Sequence, residues 1–342
     1  MELETQGLHH VTAIASDASS TVKFYTTLLG LRLVKKTVNF DDPSAYHLYF
    51  GDEKGRPGTL ITFFDWKNAV DVGQIGSRVA HHFAFTTRDE KTLAGWKTWL
   101  DQNAVQVLGP LDRGSFKSLY LQDPDGLIVE IATSGNGAHY SDASQSELSL
   151  KFDGKVKPRE KTEALIRKIS DDMRLQGLHH VTALTNGSSR TVEFFTTTMN
   201  FESLRNNSSR SSGTLQQVFG LGRGQPGSMI SFIESSASPP GTVGVGTIHH
   251  IAFAVKDEEA QLKWREHLLT KGVHVTPVLD RKYFKSIYFR EPNGVLLELA
   301  TIPPGFGVDE SFDALGQSLA LPDWLEPRRQ TIEASLEPIL QS

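Results

Sequence analysis

Four short runs set the rhythm of the chain: LHHVTAI at 8–14, AHHFAFT at 80–86, LHHVTAL at 178–184 and IHHIAFAV at 248–255. Each is almost wholly apolar after a histidine pair, which reads as a strand buried on both faces. A stretch with helical spacing follows each one: SSTVKFYTTLLG, DEKTLAGWKTWLDQN, SSRTVEFFTTTMN and DEEAQLKWREHLLTKG. Ser or Asp opens each stretch and Gly or Asn stands near its end, as helix caps require. Three further strand-like runs come next, in the first case LRLVKKTVNF, AYHLYFGD and TLITFFDW. The pattern predicts a βαβββ unit of about 60 to 70 residues, present four times.

The units are themselves grouped by a duplication. QGLHHVTA recurs at 6–13 and 176–183, and HHFAF at 81–85 answers HHIAF at 249–253. LDRGSFKSLYLQDPDGLIVEIAT at 111–133 matches LDRKYFKSIYFREPNGVLLELAT at 279–301. Three ordered matches at nearly one offset define two halves of two units each, 1–140 and 176–305. A polar linker at 141–175 ends in an expected helix over PREKTEALIRKISDDM, and a tail at 306–342 carries one more, roughly 323–340. The fold class expected is α+β, with the units paired into two cup-shaped mixed sheets and helices outside.

The histidine pairs carry the candidate chemistry. Neighbours on a strand point to opposite faces, so one histidine of each pair should face a cavity. His250 shares its face with the small Ala252 and Ala254, whereas His249 aligns with Ile251, Phe253 and Val255 and is expected to pack under a helix. The same reasoning selects His10, His82 and His180. Glu298 interrupts VLLELA and Glu130 interrupts LIVEIA, each 48 residues after its histidine. A carboxylate buried in an apolar strand is costly unless it meets a cation or is otherwise paired. Two histidines and a carboxylate match the facial triad of non-haem Fe(II), and Mn(II) or Zn(II) suits the same ligands. Tyr120 and Tyr288 stand ten residues before the glutamates, and Arg113 and Arg281 a further seven back. A phenol and a guanidinium beside a metal would orient an anionic substrate and stabilise developing negative charge.

Composition narrows the field. The 342 residues are 38% hydrophobic and 22% charged, with a net charge of −5, so nucleic acid is not an expected partner. No cysteine is present, which excludes disulfides, thiol nucleophiles and cysteine metal sites. No apolar run has bilayer length, and MELETQGLHH lacks a secretory pattern, so a cytoplasmic protein without membrane association is expected. A homo-oligomer is compatible with all of this.

Paired βαβββ units bearing GLHHVTA, HHIAF and GVLLELAT resemble the vicinal oxygen chelate superfamily of glyoxalases, bleomycin-resistance proteins and extradiol dioxygenases. LRLVKKTVNFDDPSAYHLYFGDEKGRPGTLITFF and DRKYFKSIYFREPNGVLLELATIPPGF look most like its hydroquinone-specific ring-cleaving branch. The resemblance implies an Fe(II)-dependent extradiol-type dioxygenase acting on a hydroquinone or catechol with dioxygen. Its iron ligands fall on His10, His250 and Glu298, with Tyr288, Arg281 and Thr12 around them. The counterpart set His82, Glu130 and His180 departs from that branch and implies a second metal site. Two groupings stay open: units 1 with 4 and 2 with 3, or ligands drawn from within each half. The alternatives to a dioxygenase are a glyoxalase-like lyase or isomerase and a non-enzymatic aromatic-ligand-binding protein. The first usually needs a second carboxylate, and each set offers one.

Overall fold

The computed structural model describes residues 3–66, 69–135, 169–207, 215–234 and 239–339. Each unit is a strand, a helix and three strands, as the pattern predicts. Unit 1 holds β1 (Leu8–Ala15), α1 (Ala18–Val22), β2 (Arg32–Val38), β3 (Tyr46–Gly51) and β4 (Leu60–Asp65). Unit 2 holds β5 (Ala80–Thr87), α2 (Glu90–Gln102), β6 (Leu108–Asp112), β7 (Lys117–Gln122) and β8 (Ile128–Thr133). Unit 3 holds β9 (Leu178–Thr185), α3 (Ser189–Glu193), β10 (Glu202–Asn207), β11 (Leu215–Gly220) and β12 (Met229–Glu234). Unit 4 holds β13 (Ile248–Val255), α4 (Glu258–Thr270), β14 (Leu279–Asp280), β15 (Lys285–Arg290) and β16 (Leu296–Thr301).

Two mixed eight-stranded sheets result, and the units cross between the halves to make them. One sheet runs β14-β15-β16-β13-β1-β4-β3-β2, joining units 4 and 1. The other runs β10-β11-β12-β9-β5-β8-β7-β6, joining units 3 and 2. The grouping of ligands within each half is therefore not the one adopted. At each junction two histidine-bearing strands lie antiparallel, β1 with β13 and β5 with β9.

Helices cover the face of each sheet opposite the glutamates. Trp264 of α4 packs with Ile251, Phe253, Leu297 and Leu299 in the main core, while Gln261 donates to the Leu299 carbonyl. Trp96 of α2 occupies the corresponding place over β7 and β8. The two sheets are tied by main-chain bonds from the starts of β1 and β9 to the turns before β12 and β4: Leu8 donates to the Gly227 carbonyl and Leu178 to that of Gly58. Gly7 has a left-handed φ of 87°, and a Cβ there would come within 2.5 Å of the Gly227 carbonyl oxygen, so only glycine allows this approach.

Three expectations about helices need amendment. In units 1 and 3 the α-helix lasts five residues and widens into a π-helix, Lys23–Leu28 and Phe194–Thr198. Thr26 and Thr196 donate their hydroxyls to the Val22 and Val192 carbonyls, which competes with the ordinary helical ladder. The expected linker helix, 158–173, lies over 158–168 outside the described residues, and its last residues form a short 3-10 turn, Asp171–Met173. The tail helix is limited to Arg329–Ser335, here α5. Pro338 disfavours a helical residue before it, and Leu336 is already extended.

Candidate metal centres

The four histidine pairs share a backbone irregularity that the alternation argument did not foresee. Along β1, Leu8 faces Phe253 but His10 faces Ala252, so His9 is an extra residue in the pairing. On β13, Thr12 faces His250 while Ala13 faces Ile248, which makes His249 the extra one. The second sheet repeats this with His81 on β5 and His179 on β9. Each pair is thus a β-bulge, and a bulge redirects side chains. The first histidine does not simply pack under a helix, which corrects that expectation. It turns so that its Nδ1 meets the Nδ1 of the second, at 2.9 Å for His9–His10 and 2.7 Å for His249–His250. The inner pairs match, at 2.8 Å for His81–His82 and 2.9 Å for His179–His180.

Burial and the adjoining imidazole lower His9, His81, His179 and His249 to about 3, so they are neutral partners at ordinary pH. Engaging one ring nitrogen in this way orients the imidazole and leaves Nε2 to point into the cup, as the buried partner of a metal-ligating histidine does.

Between β1, β13 and β16, three Nε2 and carboxylate atoms converge. His10 Nε2 lies 3.3 Å from His250 Nε2 and 3.3 Å from Glu298 Oε2, and His250 Nε2 lies 2.9 Å from the same oxygen. Ligands about 2.1 Å from a common centre and at right angles stand about 3 Å apart, so the triangle fits a divalent cation. Glu298 Oε2 is buried, and the two imidazole nitrogens are the polar atoms it meets. Its other oxygen accepts from Ser286 on β15. Burial pushes the Glu298 carboxyl up, but His10 and His250 outweigh it and hold the group well below the usual carboxylate range.

The second sheet contains the same figure. Glu130 Oε2 lies 3.1 Å from His82 Nε2 and 3.2 Å from His180 Nε2, and Ser118 donates to the other oxygen. All six predicted ligands therefore assemble, three to a sheet, through the pairing of units 1 with 4 and 2 with 3.

The surroundings of the outer centre are polar and partly open. Tyr288 lies beside His250, ring centroids 5.5 Å apart, and the Arg281 guanidinium lies 5.6 Å from the Tyr288 ring centroid. Burial and the Glu298 charge raise the Tyr288 phenol against the pull of Arg281, so it stays protonated and can donate. Arg281 also pairs at 3.0 Å with Asp41, whose side chain is 71% exposed. Thr12 does not reach the triad by any bond described; its hydroxyl meets Thr62 at 2.8 Å.

Thr62 continues to His47 Nε2 at 2.9 Å, and His47 Nδ1 meets the Tyr49 hydroxyl at 2.9 Å. Burial, with His10, His250 and Arg281, lowers His47 well below its ordinary value. Neither His47 nor Tyr49 was among the residues singled out from sequence, although both lie on one face of AYHLYFG. Ser286 and Ser118 were missed as carboxylate partners too; their signal was the FKS shared by the two repeats.

The chain after β16 packs into the outer cup. Phe306 packs edge-on against Tyr49 and tilted against Tyr283, at 5.1 and 5.0 Å between centroids. Lys35, fully buried on β2, pairs with Asp309 at 2.7 Å and with Glu310, which fastens the tail there.

Two curled sheets of four βαβββ units, with His–His–Glu sets at the junctions, define a vicinal-oxygen-chelate fold. The profile of the Glyoxalase/Bleomycin resistance protein/Dioxygenase superfamily matches residues 7–131 and 177–299, and the chain belongs to that superfamily. It is 35% identical over 347 residues to the Bacillus subtilis protein named "Putative ring-cleaving dioxygenase MhqO", covering 99% of this chain and 98% of the relative. It is 31% identical over 330 residues to the chlorohydroquinone/hydroquinone 1,2-dioxygenase of Sphingobium indicum, covering 94% and 92%. A crystal structure of a Bacillus subtilis protein titled "putative dioxygenase" superposes with a TM-score of 0.83 at 33% identity, over the whole of both chains. Glyoxalase I of Zea mays shares the fold, with a TM-score of 0.59 at 16% identity over 86% and 92%.

Proposed function

We propose that the chain is a metal-dependent ring-cleaving dioxygenase whose active centre is His10, His250 and Glu298, with Fe(II) as the metal and a hydroquinone or catechol as substrate. The observation that carries this reading is the three-atom triangle in the outer cup, formed by two imidazoles and one carboxylate beside a phenol and a guanidinium. Three protein ligands on one side leave the opposite side for small molecules. A bound ferrous ion would supply the binding of dioxygen and of a phenolate and the passage of electron density between them. The near-full-length likeness to proteins named as ring-cleaving dioxygenases supports the same reaction class.

The chain's own side chains have separable tasks in this reading. Arg281 attracts and orients an anionic phenolate, and its surface partner Asp41 lets the guanidinium turn inward without leaving a buried charge. Tyr288, held protonated, donates a hydrogen bond to negative charge developing on the ring or on oxygen. His47 is too weakly basic to carry a proton at neutral pH and serves as a hydrogen-bonding wall, steadied by Thr62 and Tyr49. Thr12 acts on the substrate side only through Thr62, as a positioning residue. The tail residues Phe306 and Leu315 exclude water from the apolar part of the cup. A cytoplasmic setting belongs to this reading, and among the described residues no helix is long and apolar enough to cross a membrane.

The test is anaerobic loading with Fe(II), followed by an oxygen electrode and a panel of hydroquinones and catechols. Oxygen consumption matched by loss of aromatic absorbance is expected for at least one ring. Full metal loading with no uptake on any member of the panel overturns the proposal.

A further inference from the structure

The inner triad is left unused by the proposed reaction, and it is built with the same parts as the outer one. His180 on β9 stands where His10 stands on β1, His82 on β5 where His250 stands on β13, and Glu130 on β8 where Glu298 stands on β16. Ser118 repeats Ser286, and the bulges that align His81 with His82 and His179 with His180 repeat those of the outer sheet. A chain that had merely retained strand histidines would not need all of these supports together.

Access is where the two centres part. The ligands themselves are buried in both, at 0% for His82, Glu130 and His180 and at 1%, 3% and 0% for His10, His250 and Glu298, so the difference lies in the groups beside them. Tyr120 lies against His82, ring centroids 5.5 Å apart, and Arg113 donates from Nε to the Tyr120 hydroxyl at 2.9 Å. Both are buried, unlike Tyr288 and Arg281. Phe116 lies 4.5 Å from the His179 ring centroid, as Phe284 lies 5.0 Å from that of His9 in the outer sheet, so this side is alike in both. Neither Tyr120 nor Arg113 has the partly exposed edge that Tyr288 and Arg281 keep, and a cation needs none once the units have closed around it.

We propose that His82, Glu130 and His180 hold a second, resident divalent transition-metal ion, sealed from substrate, which fastens unit 2 to unit 3. Two imidazoles and a carboxylate suit Mn(II), Fe(II), Co(II) or Zn(II). The ligands come from β5, β8 and β9, so the ion joins strands from the two halves of the chain, and metal binding at such a junction adds directly to folding stability. The inference stands apart from ring cleavage, because it concerns the other sheet and is read by metal content rather than by turnover.

The experiment uses the full chain, stripped with a chelator and reloaded anaerobically with Mn(II) alone. About two equivalents per chain are expected after removal of free metal, falling to one in Glu130→Gln and to one in Glu298→Gln. In the Glu298→Gln protein, Mn(II) should still raise the melting temperature, since the remaining equivalent sits at the inner triad. One equivalent in the wild type, unchanged in Glu130→Gln, overturns the proposal. Should Glu130→Gln fail to fold, anomalous scattering from wild-type crystals grown with Mn(II) decides the matter. Peaks at both triads are expected, and a peak confined to the outer triad overturns it.

Discussion

The outer and inner cups differ little in their ligands and greatly in what surrounds them. In both, bulged histidine pairs and a serine-held glutamate bring three donor atoms within 4.8 Å of one another, with each histidine near 3 Å from the carboxylate. In the outer cup the tyrosine and arginine beside it reach partial exposure, and the arginine's carboxylate partner stands in solvent. In the inner cup the corresponding two residues, Tyr120 and Arg113, are buried, although the arginine meets the tyrosine hydroxyl in both cups. The polar chain Thr12–Thr62–His47–Tyr49 is also reduced there: Gln216 and Ser231 take the places of His47 and Thr62, and Val218 that of Tyr49. Ligand geometry is therefore a weak guide to where a duplicated fold does chemistry. Access and the groups that handle charge around the ligands are stronger guides.

The contrast can be broken most directly at the outer carboxylate. Glu298→Gln should reduce oxygen uptake by more than about 1000-fold, since a three-ligand centre cannot spare its only anion. A rate within tenfold of wild type, measured with the iron complement intact, would move the reaction elsewhere.

The tyrosines offer the next test. Tyr288→Phe keeps the ring and should lower kcat by roughly 10- to 1000-fold with little change in melting temperature. Tyr120→Phe instead leaves the buried Arg113 Nε without its acceptor and should cost about 1–3 kcal/mol of stability by denaturant unfolding. An equal effect of both substitutions on kcat would erase the difference drawn between the cups.

The arginines sharpen it further. Arg113→Ala removes a fully buried side chain and its bond to Tyr120, an expected loss of about 2–4 kcal/mol. Arg281→Ala should cost no more than about 1 kcal/mol, because its ion pair faces solvent, and should act on kcat/KM for anionic substrates instead. Comparable destabilisation by the two would show that the outer arginine is structural.

The smallest effect concerns the turns that brace each half. Burial, with Asp125 nearby, raises Asp123 to about 7, and Glu291 in the equivalent turn is also raised by burial. A carboxyl raised in the folded state holds its proton where the unfolded chain has lost it. Stability should therefore fall as pH rises from about 4 to about 7. Asp123→Asn keeps an acceptor for the Leu127 and Asp125 amides and should flatten that slope, as read by urea midpoints across the range. An unchanged slope would assign it to other groups.

Much of this was legible in the sequence because it depends on local periodicity. The repeated HH runs, the helix caps and the strand triplets require only near neighbours, so the four units and the six ligand residues could be read from letters alone. Glu130 and Glu298 stood out because a carboxylate in an apolar strand needs a reason. Whether the first histidine of each pair faced a helix or its neighbour was not legible. A bulge exists only relative to a partner strand, and the strand facing His10 lies 240 residues away at His250. The choice between pairing units within a half and pairing them across halves was likewise open, since both bury the same apolar faces. The tertiary structure decided it by joining β1 to β13 and β5 to β9. It also decided which cup admits solvent, because the exposure of an identical Tyr–Arg pair is set by the segments packed over it. Composition and spacing therefore determined which residues could bind a metal, while the pairing of distant strands determined which of them meet and which have partly exposed neighbours.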